Sequence, residues 1–483
     1  MTSSSHSGRS SAIVSPTKGL LIPLAILLFG AYFRIGGLAR DSVFFADEAL
    51  FSSYARQMVI GNDWLLYDAP TDKPPTTYIL VGLSMRVWGE SEFAARIPNV
   101  FANIIGLAAF YALAKRLDQQ AAALALLLYA LSPLDISYAA TAFQDPPMLT
   151  CILLGAWFAV RQRWGPTGWA LGLALAIKPT AIWVVPVVVG MGLAAGAGEV
   201  RPQVWARSRH HVPIFLSGLL IPISIIALWD VPRGAPSLFT LGSRNNNPGR
   251  FIRADEVIPR AETWLHIGSQ TVGQASLGII LLIIVVLWLG AMAYRPTRLG
   301  LVAWLITGFL VWYGGIYWLI AFSTWDRYML LVVPFALLIA GQALTWVISY
   351  WPRGISILMI AISAISWSSA LHATQRPADI TGIDQFADTL NREFEGSEIY
   401  DNWLGWYLQW YLGEEPAVDV LYFATPEDLA DYLKTKHKSG YLVAPNAATA
   451  QPWLVILERV GIENELAAHQ GDFVVYYLGL ATK

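Results

Sequence analysis

The sequence predicts a polytopic α-helical membrane protein carrying a small soluble α/β domain at its C-terminal end. Three observations support this. Of 483 residues, 55% are hydrophobic and only 14% are charged, whereas soluble domains average roughly 25% charged. Apolar runs such as LLIPLAILLFGAYF, ASLGIILLIIVVLWLGAMAY and ISILMIAISAISWSSAL recur along the chain, each close to the roughly 20 residues that cross a bilayer as a helix. The charge is also divided. Of 34 acidic and 32 basic residues, 17 and 7 fall from Ala373 onward, leaving a cationic first part and an acidic tail.

Taken in order, residues 1–18 are a polar, Ser-rich tail, and residues 19–372 form the membrane part. Hydropathy places about eleven spans near 19–38, 94–114, 121–139, 147–163, 167–177, 180–197, 212–229, 276–293, 299–321, 328–349 and 354–371. The first lacks a cleavage site and reads as a retained signal-anchor. With a cytoplasmic N-terminus, the inside loops hold Lys115 and Arg116, Arg161 and Arg163, Arg201, Arg207 and Arg209, then Arg295, Arg298 and Arg353. Every short basic loop then falls on one side, as the positive-inside rule requires. The loops 41–93 and 230–275 and the domain 373–483 share the opposite, extracytoplasmic face. In that last domain AVDVLYF, GYLVAP and FVVYYLGL read as strands. Thr425-Pro426-Glu427-Asp428 reads as a helix start, with a cap, a proline at the first helical position and an acidic first turn.

Loop 41–93 concentrates the ionisable residues. ADEALFSSYARQMVI has the pattern of a short amphipathic helix at the membrane interface, with Phe51, Tyr54 and Met58 on one side. Asp47 at its start is either a plain N-cap or a functional carboxylate. Glu48 is turned about 100° from it, so one of the two faces a site and the other the surface. Lys73 precedes Pro74-Pro75, which stiffen the backbone. It is either a fixed charge for a phosphate or a lysine snorkelling to the interface. Lys178, in LALAIKPTAIWVV, is flanked by apolar residues and needs an anion or water. Asp145-Pro146-Pro147 is a good helix start, and Asp326-Arg327-Tyr328 caps a later span with a possible internal ion pair. Loop 230–275 carries Arg233, Arg244, Arg250, Arg253 and Arg260 where basic residues are usually scarce. It is a solvated loop or an anion site.

Several classes are excluded. One cysteine, Cys151, permits neither an internal disulfide nor a Cys-based zinc site. The seven histidines lack metal-ligand spacing, and His210-His211 reads as a surface pair. There is no nucleotide-binding loop and no Ser-His-Asp order, and no nucleic-acid partner is expected. Carboxylates and cations converging on one membrane face suit a reaction on a lipid-borne phosphate. An acid would take the proton of an acceptor hydroxyl, and cations would stabilise the departing phosphate. No cofactor is expected; those cations make a divalent metal unnecessary without excluding one.

The DE pair after the first span, KPPTTYILVGL and GESEFAARIPN resemble the first extracytoplasmic loop of the C-type membrane glycosyltransferases. More narrowly, they resemble the protein O-mannosyltransferases and lipid A aminoarabinose transferases, glycosyltransferase family 39 and its relatives. The likeness continues through Asp145, Lys178 in GLALAIKPT and the Arg-Tyr of DRYMLLVVP, over roughly residues 19–350. It implies a C-type fold and inverting transfer of one sugar from a polyprenyl-phosphate donor to a hydroxyl acceptor on the extracytoplasmic side of a bacterial plasma membrane. By position it makes Asp47 the general base and Glu48 its assistant in acceptor or sugar binding. Lys73, Lys178, Arg250 and Tyr328 become the donor-phosphate site, Arg250 being chosen over Arg244 and Arg253 by position only. Asp145 becomes a second acidic, acceptor-side position. Thr76-Thr77 departs from the aromatic or Leu usual after KPP. A transporter or flippase of a lipid-linked saccharide is the alternative class, but the paired repeats common in transporters are missing. An inactive relative acting as an assembly partner is a third.

Overall fold

Backbone polar groups in hydrocarbon must be satisfied within their own segment, so the apolar part of the chain folds as helices. The structure, a computed structural model, describes residues 18–40, 42–67, 69–196, 201–293, 297–351, 355–375 and 380–480. The Ser-rich tail through residue 17, Arg295 and Arg353 lie outside the described residues, as do the side chains of Arg201, Arg207 and Arg209. The first helices are α1 (Lys18–Gly36), α2 (Ala46–Val59), α3 (Thr76–Trp88), α4 (Glu92–Leu117), α5 (Ala122–Ala130), α6 (Pro133–Ala139), α7 (Asp145–Val160) and α8 (Trp164–Ile177). Then come α9 (Val185–Gly196), α10 (Arg201–Asp230), α11 (Leu238–Asn246), α12 (Val257–Val272), α13 (Ala275–Ala293), α14 (Arg298–Leu319), α15 (Val333–Tyr350) and α16 (Ile355–Ala373).

Among the described residues seven helices are long and apolar enough to cross a membrane, and the bent pair α5–α6 makes an eighth. The protein is an integral membrane protein. The remaining expected spans are occupied by α7, α8 and α16. At 16 and 14 residues, α7 and α8 are short for a full crossing. Exposed apolar side chains such as Ile279, Leu282 and Val286 on α13 form a lipid-facing surface.

Two devices shape the bundle around its polar end. α5 and α6 meet at 58°, which leaves carbonyls at the end of α5 without helical partners. The fully buried Arg34 of α1 takes two of them, donating to Ala130 O at 3.0 Å and Tyr129 O at 3.4 Å, and pairs with Asp135 of α6 at 2.5 Å. The bend is thus fixed by a charge inside the membrane part. The second device is close packing of small residues. A Cβ on Gly168 or Gly172 of α8 would lie 2.1 Å from Phe215 O or 2.6 Å from Leu219 O of α10, so the two helices approach as small-residue seams allow.

The C-terminal domain begins with α17 (Ile383–Glu393) and continues through β1 (Glu398–Asp401), α18 (Gly405–Tyr411), β2 (Asp419–Tyr422), α19 (Pro426–Lys436), β3 (Gly440–Ala444), α20 (Ala447–Arg459), β4 (Ile462–Gln470) and β5 (Phe473–Leu480). The strands form one sheet in the order β2-β1-β3-β5-β4. β1 is parallel to β2 and β3, and β5 is antiparallel to β3 and β4. The helix start at Thr425 is as expected: its side chain accepts from Asp428 N at 3.1 Å, with Pro426 in the first turn. β1 and β4 escape the sequence reading. β1 has only four residues, and β4, IENELAAHQ, is a largely exposed edge strand whose polar residues mask its pairing.

Candidate active site

α2 begins at Phe45, whose backbone is extended at the N-cap position. Asp47 is therefore not the N-cap that its residue type favours. The N-cap is Phe45, and the capping side chain is that of Glu48, the third helical residue, which reaches back to accept from Phe45 N at 3.1 Å. Glu48 also accepts from Arg96 Nε at 3.2 Å, Arg96 Nη2 at 3.3 Å and Ala142 N at 2.7 Å. It is fully buried. The neighbour of Asp47 thus faces the packed interior and not the surface, as the 100° rotation alone allowed. Its carboxylate ties together the start of α2, α4 and the 140–145 segment.

α2 is enclosed more fully than a helix lying on a membrane. Phe51, Tyr54 and Met58 are buried, and so are Ser52, Ser53, Ala55, Arg56 and Val59. A Cβ at Gly82 of α3 would sit 2.6 Å from Ala55 O, so only glycine permits this approach. On another face α18 of the C-terminal domain covers α2. Arg56 donates to Gln409 O at 2.9 Å and Trp410 O at 3.2 Å, the carbonyl end of α18. Tyr411 OH accepts from Phe44 N at 2.8 Å and donates to Glu92 Oε1 at 2.9 Å. The soluble domain therefore grips the residues on which Asp47 is mounted.

Asp47 turns the other way, into a partly open cluster, where its carboxylate pairs with Arg327. Arg327 sits in a 3-10 helix, Asp326–Leu331, with its guanidinium 4.4 Å from the Trp325 ring and 5.2 Å from the Phe143 ring. Burial opposes its charge, but the carboxylates of Asp47 and Asp145 more than offset this and raise its pKa. Sequence suggested an internal ion pair within Asp326-Arg327-Tyr328; the structure instead pairs Arg327 with Asp47, 280 positions away.

Lys178 lies where a span breaks. Pro179 disfavours helix at the residue before it, and Lys178 caps α8 in an extended conformation before the 3-10 turn Pro179–Val184. Its ammonium donates to Asp145 Oδ1 at 2.7 Å and Oδ2 at 2.9 Å, and lies 5.4 Å from the Tyr328 ring centre. Asp145 starts α7, as Pro146 and Pro147 predict. Thr76 Oγ1 donates to Ala176 O at 2.6 Å, which brings the start of α3 and the preceding Lys73 loop to the end of α8. Lys73 and Arg327 are both near enough to act electrostatically on Lys178. Lys73 itself pairs with Asp72 at 2.5 Å.

The structure thus gathers Asp47, Asp145, Lys73, Lys178 and Tyr328. It does not gather Arg250, whose guanidinium is exposed and held by Glu256 at 2.5 and 2.9 Å. The Arg250 hydrogen bond pushes the Glu256 carboxyl down to about 2, and the backbone N–H of Arg253 adds to this. Arg233 is not on the cluster either; it braces the 66–69 segment through Leu66 O and Ala69 O. Arg327 and Asp72 complete the cluster; sequence named Arg327 only within Asp326-Arg327-Tyr328 and did not single out Asp72. Their signal was adjacency, to Tyr328 and Lys73. Arg327 Nε and both polar atoms of the Gln144 carboxamide are buried without partners, so hydrogen-bonding capacity remains for a ligand. Among the described residues no group of three or more His, Cys, Asp or Glu is placed to hold a metal ion.

Residues 72–229 match the family of dolichyl-phosphate-mannose-protein mannosyltransferases. Curated relatives include the undecaprenyl phosphate-alpha-4-amino-4-deoxy-L-arabinose arabinosyl transferase of Pseudomonas paraeruginosa (strain DSM 24068 / PA7), 28% identical over 185 residues that make up 35% of this chain and 34% of the relative. The corresponding transferase 1 of Pseudomonas fluorescens (strain Pf0-1) is 24% identical over 214 residues, 40% of this chain and 37% of the relative. The matched part therefore spans about a third of the relatives' length. In structure the chain is similar to ArnT from Cupriavidus metallidurans bound to undecaprenyl phosphate, with a TM-score of 0.60 and 15% identity over 96% of this chain and 98% of that one. It is also similar to the Archaeoglobus fulgidus oligosaccharyltransferase in complex with Zn and sulfate, with a TM-score of 0.57 and 11% identity over 95% of this chain and 73% of that one. The chain resembles this group of transferases in sequence and has the C-type glycosyltransferase fold.

Proposed function

We propose that this chain is an inverting glycosyltransferase that moves one sugar, a hexose or pentose, from a polyprenyl-phosphate donor to a hydroxyl acceptor. The observation that carries this reading is the pairing of one accessible carboxylate, Asp47, with a cation cluster a few side chains away. The acceptor oxygen attacks the anomeric carbon as the bond from that carbon to the phosphate oxygen breaks. The hydroxyl proton passes to Asp47, and the electron pair leaves with the phosphate. Arg327 orients Asp47, and Lys178, Lys73 and Tyr328 surround the departing anion. A phosphate leaving group needs no protonating acid, which accounts for one base where glycosidases use two carboxylates.

Asp145 and Asp72 then hold their lysines in place until the donor phosphate takes over as counter-ion. Glu48 contributes by fixing the start of α2 and the 140–145 segment, and is a positioning residue. The donors named for the similar proteins, undecaprenyl phosphate-linked aminoarabinose and dolichyl-phosphate mannose, support a lipid-linked donor. Helix order and the basic loops support a bacterial inner-membrane protein with a cytoplasmic N-terminus and extracytoplasmic site. Mass spectrometry of surface glycoconjugates from cells lacking the chain, complemented with wild type or Asp47→Asn, is the test. Wild type should restore one added sugar and Asp47→Asn should not, while still binding donor lipid. Restoration by the variant removes Asp47 as base.

A further inference from the structure

Residues 42–45 lead into α2 without regular secondary structure, so helix and sheet supply no partners for their backbone polar groups. Side chains take that place. Arg96 of α4 donates to Ser42 O at 3.0 Å and to Val43 O at 3.2 Å, and Glu48 accepts from Phe45 N at 3.1 Å. Those holds come from the membrane part. Phe44 is held from outside it, its N–H donating to Tyr411 OH of the soluble domain at 2.8 Å. We propose that Tyr411 is a positioning residue for sugar transfer, setting the aim of Asp47 by fixing the backbone three residues before it. The C-terminal domain is then a working part of the active site. This deepens the transferase reading and rests on Asp47 being the base.

Two features make this hydrogen bond consequential. Phe44 is 0% exposed, and a buried N–H without a partner costs free energy comparable to a lost hydrogen bond. The segment relieves that cost only by moving. The hydroxyl is also oriented, because it passes its own proton to Glu92 Oε1 at 2.9 Å, in the first turn of α4. Its lone pair is therefore kept for Phe44. The Phe44 ring lies edge-on to Trp410 at 5.1 Å and 5.1 Å from the Arg96 guanidinium. One side chain thus sits between the soluble domain and the arginine that binds Glu48.

Aim matters because neighbouring helical residues point about 100° apart, so a small rotation of α2 changes what Asp47 meets. Two separated holds fix a helix against rotation and sliding. Tyr411 acts ahead of the first turn. Arg56 acts in the last turn, about 15 Å along the axis from Ala46. It donates to Gln409 O at 2.9 Å and Trp410 O at 3.2 Å, and lies 4.7 Å from the Trp410 ring centre. Gln409, Trp410 and Tyr411 therefore hold α2 near both ends. α18 is rooted in the sheet in turn: Asp401, closing β1, accepts from Trp403 N at 3.1 Å and Leu404 N at 2.7 Å. The path from sheet to base is a continuous run of packed and hydrogen-bonded groups. Lys73 precedes α3 and Lys178 follows α8, so a fault at Phe44 should impair transfer and spare donor binding.

The test uses the full chain carrying Tyr411→Phe, which removes the hydroxyl and keeps the ring, beside Asp47→Asn. Tyr422→Phe, an exposed position of β2, controls for loss of a tyrosine hydroxyl in the same domain. Transfer is read by mass spectrometry of surface glycoconjugates from complemented cells. Affinity is read by titrating the purified chain with undecaprenyl phosphate, and local order by hydrogen exchange. Tyr411→Phe should lower transfer about tenfold or more, since a misplacement of about 1 Å can cost about 10²-fold. Undecaprenyl phosphate affinity should stay within about twofold of wild type, and faster exchange should be confined to residues 42–50. Should Tyr411→Phe fail to reach the membrane, Arg56→Lys decides. It keeps the charge but not the two-carbonyl fork, and should lower transfer several-fold with the same split. Wild-type transfer in the deciding variant, or a loss that brings down donor affinity or raises exchange throughout the domain, overturns the positioning role. If Asp47→Asn is inactive at the same time, the base reading stands. Normal transfer by Asp47→Asn overturns that reading and the positioning role with it.

Discussion

The two sides of α2 carry the same kinds of charge and use them differently. Glu48–Arg96 on the inner side, and Arg34–Asp135 between α1 and α6, have side-chain exposures of 2% or less, and they are bonded further to backbone, amide and hydroxyl groups. On the open side, Asp47–Arg327 and Asp72–Lys73 have exposures from 13% to 19%, the adjoining Asp145–Lys178 pair is buried at 5% and 7%, and Nε of Arg327 is left without a partner. A buried, saturated pair cannot exchange partners without a cost of several kcal/mol. A half-open pair can release one member to a ligand. The difference between structural and chemical charge here is one of completion, and Asp47 and Glu48 show it in adjacent residues.

The largest expected effect comes from separating those two. Asp47→Asn should lower sugar transfer by about 10²–10⁴-fold, the usual share of a general base, with thermal stability close to wild type. Glu48→Gln should instead destabilise the protein by about 3–5 kcal/mol, because Arg96 is left buried and unpaired, as a thermal unfolding scan in detergent would register. If Glu48→Gln folds normally and loses transfer as Asp47→Asn does, the contrast between the two sides collapses.

Next in size is Lys178→Gln. Loss of a charged hydrogen bond worth about 1.5–3 kcal/mol should weaken undecaprenyl phosphate binding by roughly 10–100-fold. Unchanged affinity in a direct binding titration would move Lys178 to the structural group with Arg96.

The smallest concerns Arg250, which the family pattern places at the phosphate and the structure places on Glu256. Because the Glu256 pKa is depressed to about 2 from an ordinary 4.5, the clasp is fully formed above the ordinary value. It is lost only as pH falls through about 2. Acidification within the physiological range should therefore leave Arg250 where it is. Glu256→Gln should free it and tighten donor binding a few-fold, reversed by adding Arg250→Ala. No change in either variant would exclude Arg250 from the donor site.

Much of this arrangement was legible in one dimension. The apolar runs announced the helices, and Thr425-Pro426 announced a helix in the soluble domain. The charged positions Asp47, Lys73, Asp145 and Lys178 stood out because charge near lipid is costly. The sequence did not separate Asp47 from Glu48, since both suit a first helical turn. It also left Arg34, Asp72 and Asp135 in the background: Arg34 and Asp135 pair across different segments, and Asp72 pairs with its neighbour Lys73.

Composition and periodicity therefore determined what kind of protein this is: helices through a membrane, a short polar loop after the first, and an acidic α/β domain at the end. These follow from local rules, because apolar length and proline position act within a few residues. Which carboxylate turns to the open side, which arginine pairs with it and which carboxylate holds Lys178 were decided only by tertiary contacts. The pairing of Asp47 with Arg327 spans 280 positions, and Tyr411 reaches Phe44 across 367. Availability for chemistry depends on whether a group's partners are already complete, and that sum is taken over space, not along the chain.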